Sequence, residues 1–155
     1  MAHGIEQELA DLDFATVSPQ EFAQIVKRLS TRQINELSAD TELRERVITE
    51  IRGRIEKQFR PDKAGDLDAV IRWNIGNDDN RRVFETHIAN GTVTVTEGRS
   101  DARPRVTLTL GDAEFLQLVS GNASPFTLFM TRKLKVFGDV GLASGLTKIF
   151  DIPRA

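Results

Sequence analysis

The chain has 155 residues, enough for one domain with a buried core, and is 39% hydrophobic and 28% charged, as globular proteins are. A formal net charge of −2 supplies no basic excess for nucleic acid or an anionic membrane, and the lack of cysteine excludes disulfides, thiolate metal sites and cysteine nucleophiles. No apolar run approaches the roughly 18 residues of a spanning helix, and MAHGIEQELADLD lacks a signal peptide's basic start and apolar core, so a cytoplasmic location is expected.

The first sixty residues read as helix. Ser18-Pro19-Gln20-Glu21 places Ser at an N-cap, Pro at the first helical position and Glu at the third. Phe22, Ile25, Val26 and Leu29 follow at helical spacing as one apolar stripe. Ser30-Thr31-Arg32-Gln33 starts a second, short helix carrying Ile34 and Leu37. A longer helix begins near Thr41, with Leu43, Val47, Ile48, Ile51 and Ile55 on one face. Glu42–Arg46 and Glu50–Arg54 form i,i+4 pairs on its wet side, each contributing about 0.2–0.5 kcal/mol. Pro61 is expected to stop it, because the residue before proline avoids helical geometry.

After PDKAGD the period changes from 3.6 to 2. Ile71, Trp73 and Ile75 alternate with Val70, Arg72 and Asn74, and Phe84, Thr86 and Ile88 alternate with Val83, Glu85 and His87. Val93 and Val95 alternate with threonines, as do Val106, Leu108 and Leu110. Such alternation marks an antiparallel sheet with one covered and one wetter face. Asn90-Gly91 closes a two-residue hairpin, whose turn needs positive φ at both positions.

Gly111-Asp112 returns the chain to helix, with Phe115, Leu116, Leu118 and Val119 apolar over more than half its circumference. A turn at 120–125 precedes a short hydrophobic segment, Phe126 to Met130. A strand at 133–137 and a closing helix over 139–150 complete one α+β domain, residues 41–155, preceded by a helical extension of residues 1–40.

Several groups invite a chemical reading and support it poorly. Gly138, Gly141 and Gly145 match neither the dinucleotide fingerprint nor the phosphate loop. Two glycines one turn apart in a helix instead point to close backbone approach. Ser144 stands one position too late for a nucleophile elbow. His3 is near the terminus, His87 and Glu85 share a strand face expected to be solvated, and Asp78-Asp79 belongs to a turn. Two histidines and no cysteine leave little for a transition metal. No catalytic group, metal or cofactor is expected. What stands out is the apolar and aromatic excess of the last forty residues, beyond what one-sided helix contacts require. Its Phe and Met side chains are of the kind that line adaptable cavities.

KLKVFGDVGLA (133–143) resembles the closing signature of the sterol carrier protein type 2 domain family, a strand followed by Gly-Asp and a helix. The NG hairpin, GRSDARPRVTLTL and GDAEFLQLVSGNASP resemble the family's middle. The likeness covers about residues 41–150 and rests on the order of the motifs. It implies a twisted, mainly antiparallel sheet of about five strands, covered on one face by helices that enclose a lipid-binding tunnel. Members bind sterols, fatty acids or acyl-CoA without chemistry, or serve as accessory domains of larger proteins. On this likeness the tunnel would be lined by Trp73, Phe84, Ile88 and Leu108 from the sheet and Phe115, Leu118 and Val119 from the next helix. Phe126, Phe129, Met130, Val136, Val140, Leu146 and Phe150 would close it. Thr131-Arg132 and Phe137 depart from the family pattern, so the mouth is expected to differ. The ending Pro153-Arg154-Ala155 is not a peroxisomal tripeptide, which favours a bacterial stand-alone member. The expected activity is carriage of a sterol, fatty acyl chain or isoprenoid, with only transient membrane contact and no nucleic acid. The alternatives are an interaction module, dimeric or partner-bound through the stripes of residues 1–40, and an enzyme using Glu85, His87 or Ser144 on a lipid-like substrate.

Overall fold

Ser18 caps the first helix by the expected device. In the computed structural model, which describes residues 18–39, 41–76 and 81–150, its backbone is extended and its hydroxyl accepts the Glu21 N–H at 3.1 Å, opening α1 (Pro19–Lys27). Ser30 and Gln33 cap α2 (Thr31–Ser38) reciprocally: the Gln33 N–H donates to Ser30 Oγ at 3.1 Å, and the Ser30 N–H to Gln33 Oε1 at 2.8 Å. The third helix, α3 (Thr41–Gln58), buries Ile48, Ile51 and Ile55 on one face. Arg54, expected on its wet side, instead lays its guanidinium over the Phe22 ring at 5.2 Å. As expected, the helix stops ahead of Pro61, and Arg60 before it is extended, at φ −112° and ψ 92°. Pro61 then opens a further turn, α4 (Pro61–Ala64), because proline's fixed φ suits the first helical position. His3, Asp78 and Asp79 lie outside the described residues.

Five strands follow the period-2 pattern: β1 (Ala69–Ile75), β2 (Arg82–Ala89), β3 (Thr92–Glu97), β4 (Val106–Leu110) and β5 (Leu134–Gly138). They form one sheet in the order β3-β2-β1-β4-β5. Three neighbouring pairs are antiparallel, but β1 and β4 run parallel, so the sheet is mixed. Asn90 and Gly91 adopt φ of 54° and 71° and join β2 to β3. The register lines up Phe84, Trp73, Leu108 and Val136 as one row across the inner face.

That face is covered by α5 (Asp112–Val119), α6 (Pro125–Met130), α7 (Val140–Ser144) and α8 (Leu146–Ile149). Arg44 of α3 grips Asp112 with two bonds, 2.7 and 3.2 Å, fixing α3 against the start of α5. Outside α5 lie α1 and α2; the Asn122 amide donates to the Ala23 carbonyl at 3.0 Å. Phe22, Val26, Leu29 and Ile34 are buried in the same core as the sheet residues. Two findings follow. The wide apolar circumference of α5 reflects burial between two layers, not the wall of a large hollow. The buried stripe residues of α1 and α2 are also used within the chain, so they are not available to a dimer or partner.

The closing helix is two helices rather than one. It breaks at Gly145, whose N–H is shared between the Gly141 and Leu142 carbonyls, each at 3.1 Å. The glycines also act differently from expectation. A Cβ on Gly141 would meet only Asp139 Oδ1, at 3.3 Å, and one on Gly145 only carbonyls of the preceding turn. The close approach is at Gly138, where φ is 114° and a Cβ would lie 2.4 Å from the Arg105 carbonyl oxygen. The glycine therefore lets the end of β5 press against β4, so the close backbone approach falls at the strand end and not in the helix.

Candidate functional site

Trp73 stands at the centre of the inner face. Its indole N–H donates to Thr86 Oγ1 at 2.7 Å, satisfying its one polar group beneath the helices. Its ring stacks on Phe84, with centroids 5.8 Å apart, and meets the edge of Phe115 at 5.9 Å. Beside it lies a cavity of about 30 Å³ lined by Ile55, Gln58, Trp73, Leu118, Val119, Leu146 and Phe150. A second void of about 10 Å³, between α1 and α3, shares Ile55, Gln58 and Val119 as lining. The larger space could hold about two waters, yet Gln58 is its only polar side chain apart from the satisfied indole. It is a small apolar space between sheet and helices.

Of the residues expected to enclose such a space, Trp73, Leu118, Val119, Leu146 and Phe150 line it. Phe84, Ile88, Leu108 and Phe115 are buried in the core around it, and Val136 is half-buried at the sheet's margin. Phe126, Phe129, Met130 and Val140 are on the outside, 40–64% exposed. Ile55 and Gln58 were not foreseen as lining. Their signal was the apolar stripe of α3, which runs through Ile48, Ile51 and Ile55 and meets Gln58 one turn further on. The far end is tied by the Phe59–Phe150 bridge and by the Arg60 N–H, which donates to the Ile149 carbonyl at 2.7 Å.

The polar candidates are not gathered into a reactive group. Ser144 Oγ donates to the Val140 carbonyl of its own helix at 2.9 Å. His87 is exposed and its Nε2 lies 3.2 Å from Asp68 Oδ1. Glu85 corrects the expectation of a solvated face, being only 3% exposed. The segment after β3 folds back over it. Arg72 Nε donates to Glu85 Oε2 at 2.7 Å, and the Ser100 N–H donates to Oε1 at 3.3 Å. Arg72 Nη2 also holds the Ser100 and Ala102 carbonyls, at 3.3 and 3.2 Å. Burial pushes the Glu85 carboxyl up, but the Ser100 and Arg72 hydrogen bonds and the Arg72 charge outweigh it and hold it below its ordinary range. Arg72 and Glu85 thus form a structural clasp on the outer face. Among the described residues no cluster of three His, Asp or Glu side chains could hold a metal, and no helix is long and apolar enough to cross a membrane.

A mixed five-stranded sheet, closed on one face by helices over an apolar interior, is a recognisable class of α+β domain. The chain belongs to the SCP-2 sterol transfer family, whose model matches residues 48–151. It is 24% identical over 142 residues to the peroxisomal multifunctional enzyme A of Dictyostelium discoideum, covering 92% of this chain but only 32% of that one. This chain therefore spans about a third of that relative's length. Among solved structures it is similar to apo sterol carrier protein 2 from Yarrowia lipolytica, with a TM-score of 0.52 and 31% identity over 64% of this chain and 82% of that one. Palmitated SCP2L2 from Aedes aegypti shares the fold, with a TM-score of 0.52 and 22% identity over 64% of this chain and 89% of that one.

Proposed function

We propose that the protein binds and carries an apolar small molecule, a sterol, fatty acyl chain or isoprenoid, in the interior beside Trp73. The observation that carries this reading is the small, apolar-lined cavity bounded by Trp73, Leu118, Val119, Leu146 and Phe150, in a chain of the sterol transfer family. Each buried methylene contributes about 0.8 kcal/mol, so a sixteen-carbon chain gains on the order of 12 kcal/mol before the cost of binding is subtracted. Apolar contact alone is sufficient, and no polar anchor is required.

A space of about 30 Å³ does not hold such a ligand; pockets for small molecules run roughly 300–1,000 Å³. Binding on this account opens the interior. The elements that yield are α7 and α8, five and four residues long and separated at Gly145. Helices this short have little stability of their own and are held by what they pack on. Ligand then replaces the contacts that Leu146 and Phe150 make across the cavity.

The test is native mass spectrometry of the purified protein, before and after incubation with dispersed fatty acids, sterols and isoprenoids. A mass increment of one ligand per chain is expected. Val119→Phe, which places a ring in the cavity, is expected to lower uptake about tenfold while changing stability by less than about 2 kcal/mol. A protein that takes up none of the three classes would end the proposal.

A further inference from the structure

The described residues carry five exposed large hydrophobic side chains: Phe126 at 64%, Phe129 at 40%, Met130 at 62%, Phe137 at 82% and Val140 at 48%. All five fall within residues 126–140, on α6, β5 and α7, which pack against one another at the sheet's edge. A soluble surface that scattered its apolar residues would not concentrate them so. Three cations, Arg132, Lys133 and Lys135, sit among them and are exposed. The only acid in the segment, Asp139, is committed to capping α7, its Oδ1 accepting the Leu142 N–H at 2.9 Å.

We propose that this segment docks the protein on an anionic bilayer, with Phe126, Phe129 and Met130 entering the headgroup boundary and Arg132, Lys133 and Lys135 meeting lipid phosphates. Aromatic and methionine side chains interleaved with lysine and arginine suit a lipid–water boundary. A protein partner fits less well, because lysine is depleted from the buried parts of protein interfaces. The chain's overall charge of −2 does not oppose the contact, since a local cluster acts within one Debye length of the surface. Docking deepens the carrier reading, and its role in lipid entry rests on that reading: α7 belongs to the docking face and leads directly into α8, whose Leu146 lines the cavity. Contact with a bilayer would loosen the same short helices whose movement admits a lipid.

Vesicle flotation of the full chain tests this, comparing phosphatidylcholine vesicles with vesicles containing about one-third phosphatidylglycerol. Binding to the anionic vesicles is expected, weakening as salt rises. Lys133→Gln/Lys135→Gln is expected to weaken it about 25-fold, at about fivefold per basic residue. Phe126→Ser/Met130→Ser is expected to weaken it at least tenfold without changing the circular dichroism spectrum, because both side chains are largely exposed. Wild-type protein that floats with neither vesicle, or variants that float as well as wild type, would overturn the proposal. Uptake of a fatty acid delivered without vesicles separates the two readings. If the Phe126→Ser/Met130→Ser variant keeps that uptake but loses vesicle binding, docking is supported. Uptake that is absent while vesicle binding persists sinks carriage and leaves docking standing.

Discussion

Glu85→Ala is expected to lower the unfolding free energy by about 3–5 kcal/mol, as breaking one side of a buried ion pair does. The Arg72 side chain is only 9% exposed. It would be left as a buried cation, and the Ser100 N–H would lose its acceptor. Urea unfolding measures the loss. Replacing both partners, Arg72→Met with Glu85→Leu, is expected to recover most of it, because no charge then stays buried. The pair also sets an acid limit. The Glu85 carboxyl is held below its ordinary range, so its stabilisation is fully present above the unfolded value, about 4.3. It is lost as pH falls from there through the lower folded value. The slope of stability against pH in that window should flatten in Glu85→Gln. A Glu85→Ala protein within about 1 kcal/mol of wild type would show that Arg72 finds another partner.

Gly138→Ala is expected to cost about 2–5 kcal/mol, combining an unfavourable positive φ with overpacking. At φ 114° a Cβ would lie 2.4 Å from the Arg105 carbonyl oxygen, which is backbone and cannot swing aside. The strain would fall on the β4–β5 junction, where Val106 pairs with Gly138 and the Asp139 N–H donates to the same Arg105 carbonyl at 3.0 Å. Gly141→Ala is the control. It meets only the Asp139 carboxylate, and alanine favours the helix, so a change within about 1 kcal/mol is expected. Thermal unfolding of the two variants side by side separates them. Equal effects would contradict the assignment of Gly138 as the close approach.

Local signals survived folding best. The Ser18 cap, the Ser30 helix start, the Asn90-Gly91 hairpin and the alternation that assigns Trp73 and Glu85 to opposite faces are all set by neighbours a few residues away. What failed to show in the sequence was non-local. Alternation assigns faces but not neighbours, so the parallel pairing of β1 with β4 was invisible. Glu85 read as solvated because the segment that buries it, around Ser100 and Ala102, lies fifteen residues or more further along. An apolar helix does not say what covers it: α5 is apolar over more than half its circumference because it lies between two layers, whereas α6 exposes Phe126, Phe129 and Met130. Composition alone merged the two into one presumed tunnel wall. Five of the cavity's seven lining residues were legible, Trp73, Leu118, Val119, Leu146 and Phe150; the contribution of α3, Ile55 and Gln58, depended on how the layers close.

Trp73 is the chain's single tryptophan, is 4% exposed and borders the cavity, so its emission reports directly on whether the interior admits a guest. Titration of delipidated protein with a spin-labelled fatty acid is expected to quench that emission saturably, reaching a plateau at one ligand per chain and reversing on addition of unlabelled fatty acid. Emission that stays unchanged throughout the titration would mean that the space beside Trp73 remains closed, and the carrier account would fall with it.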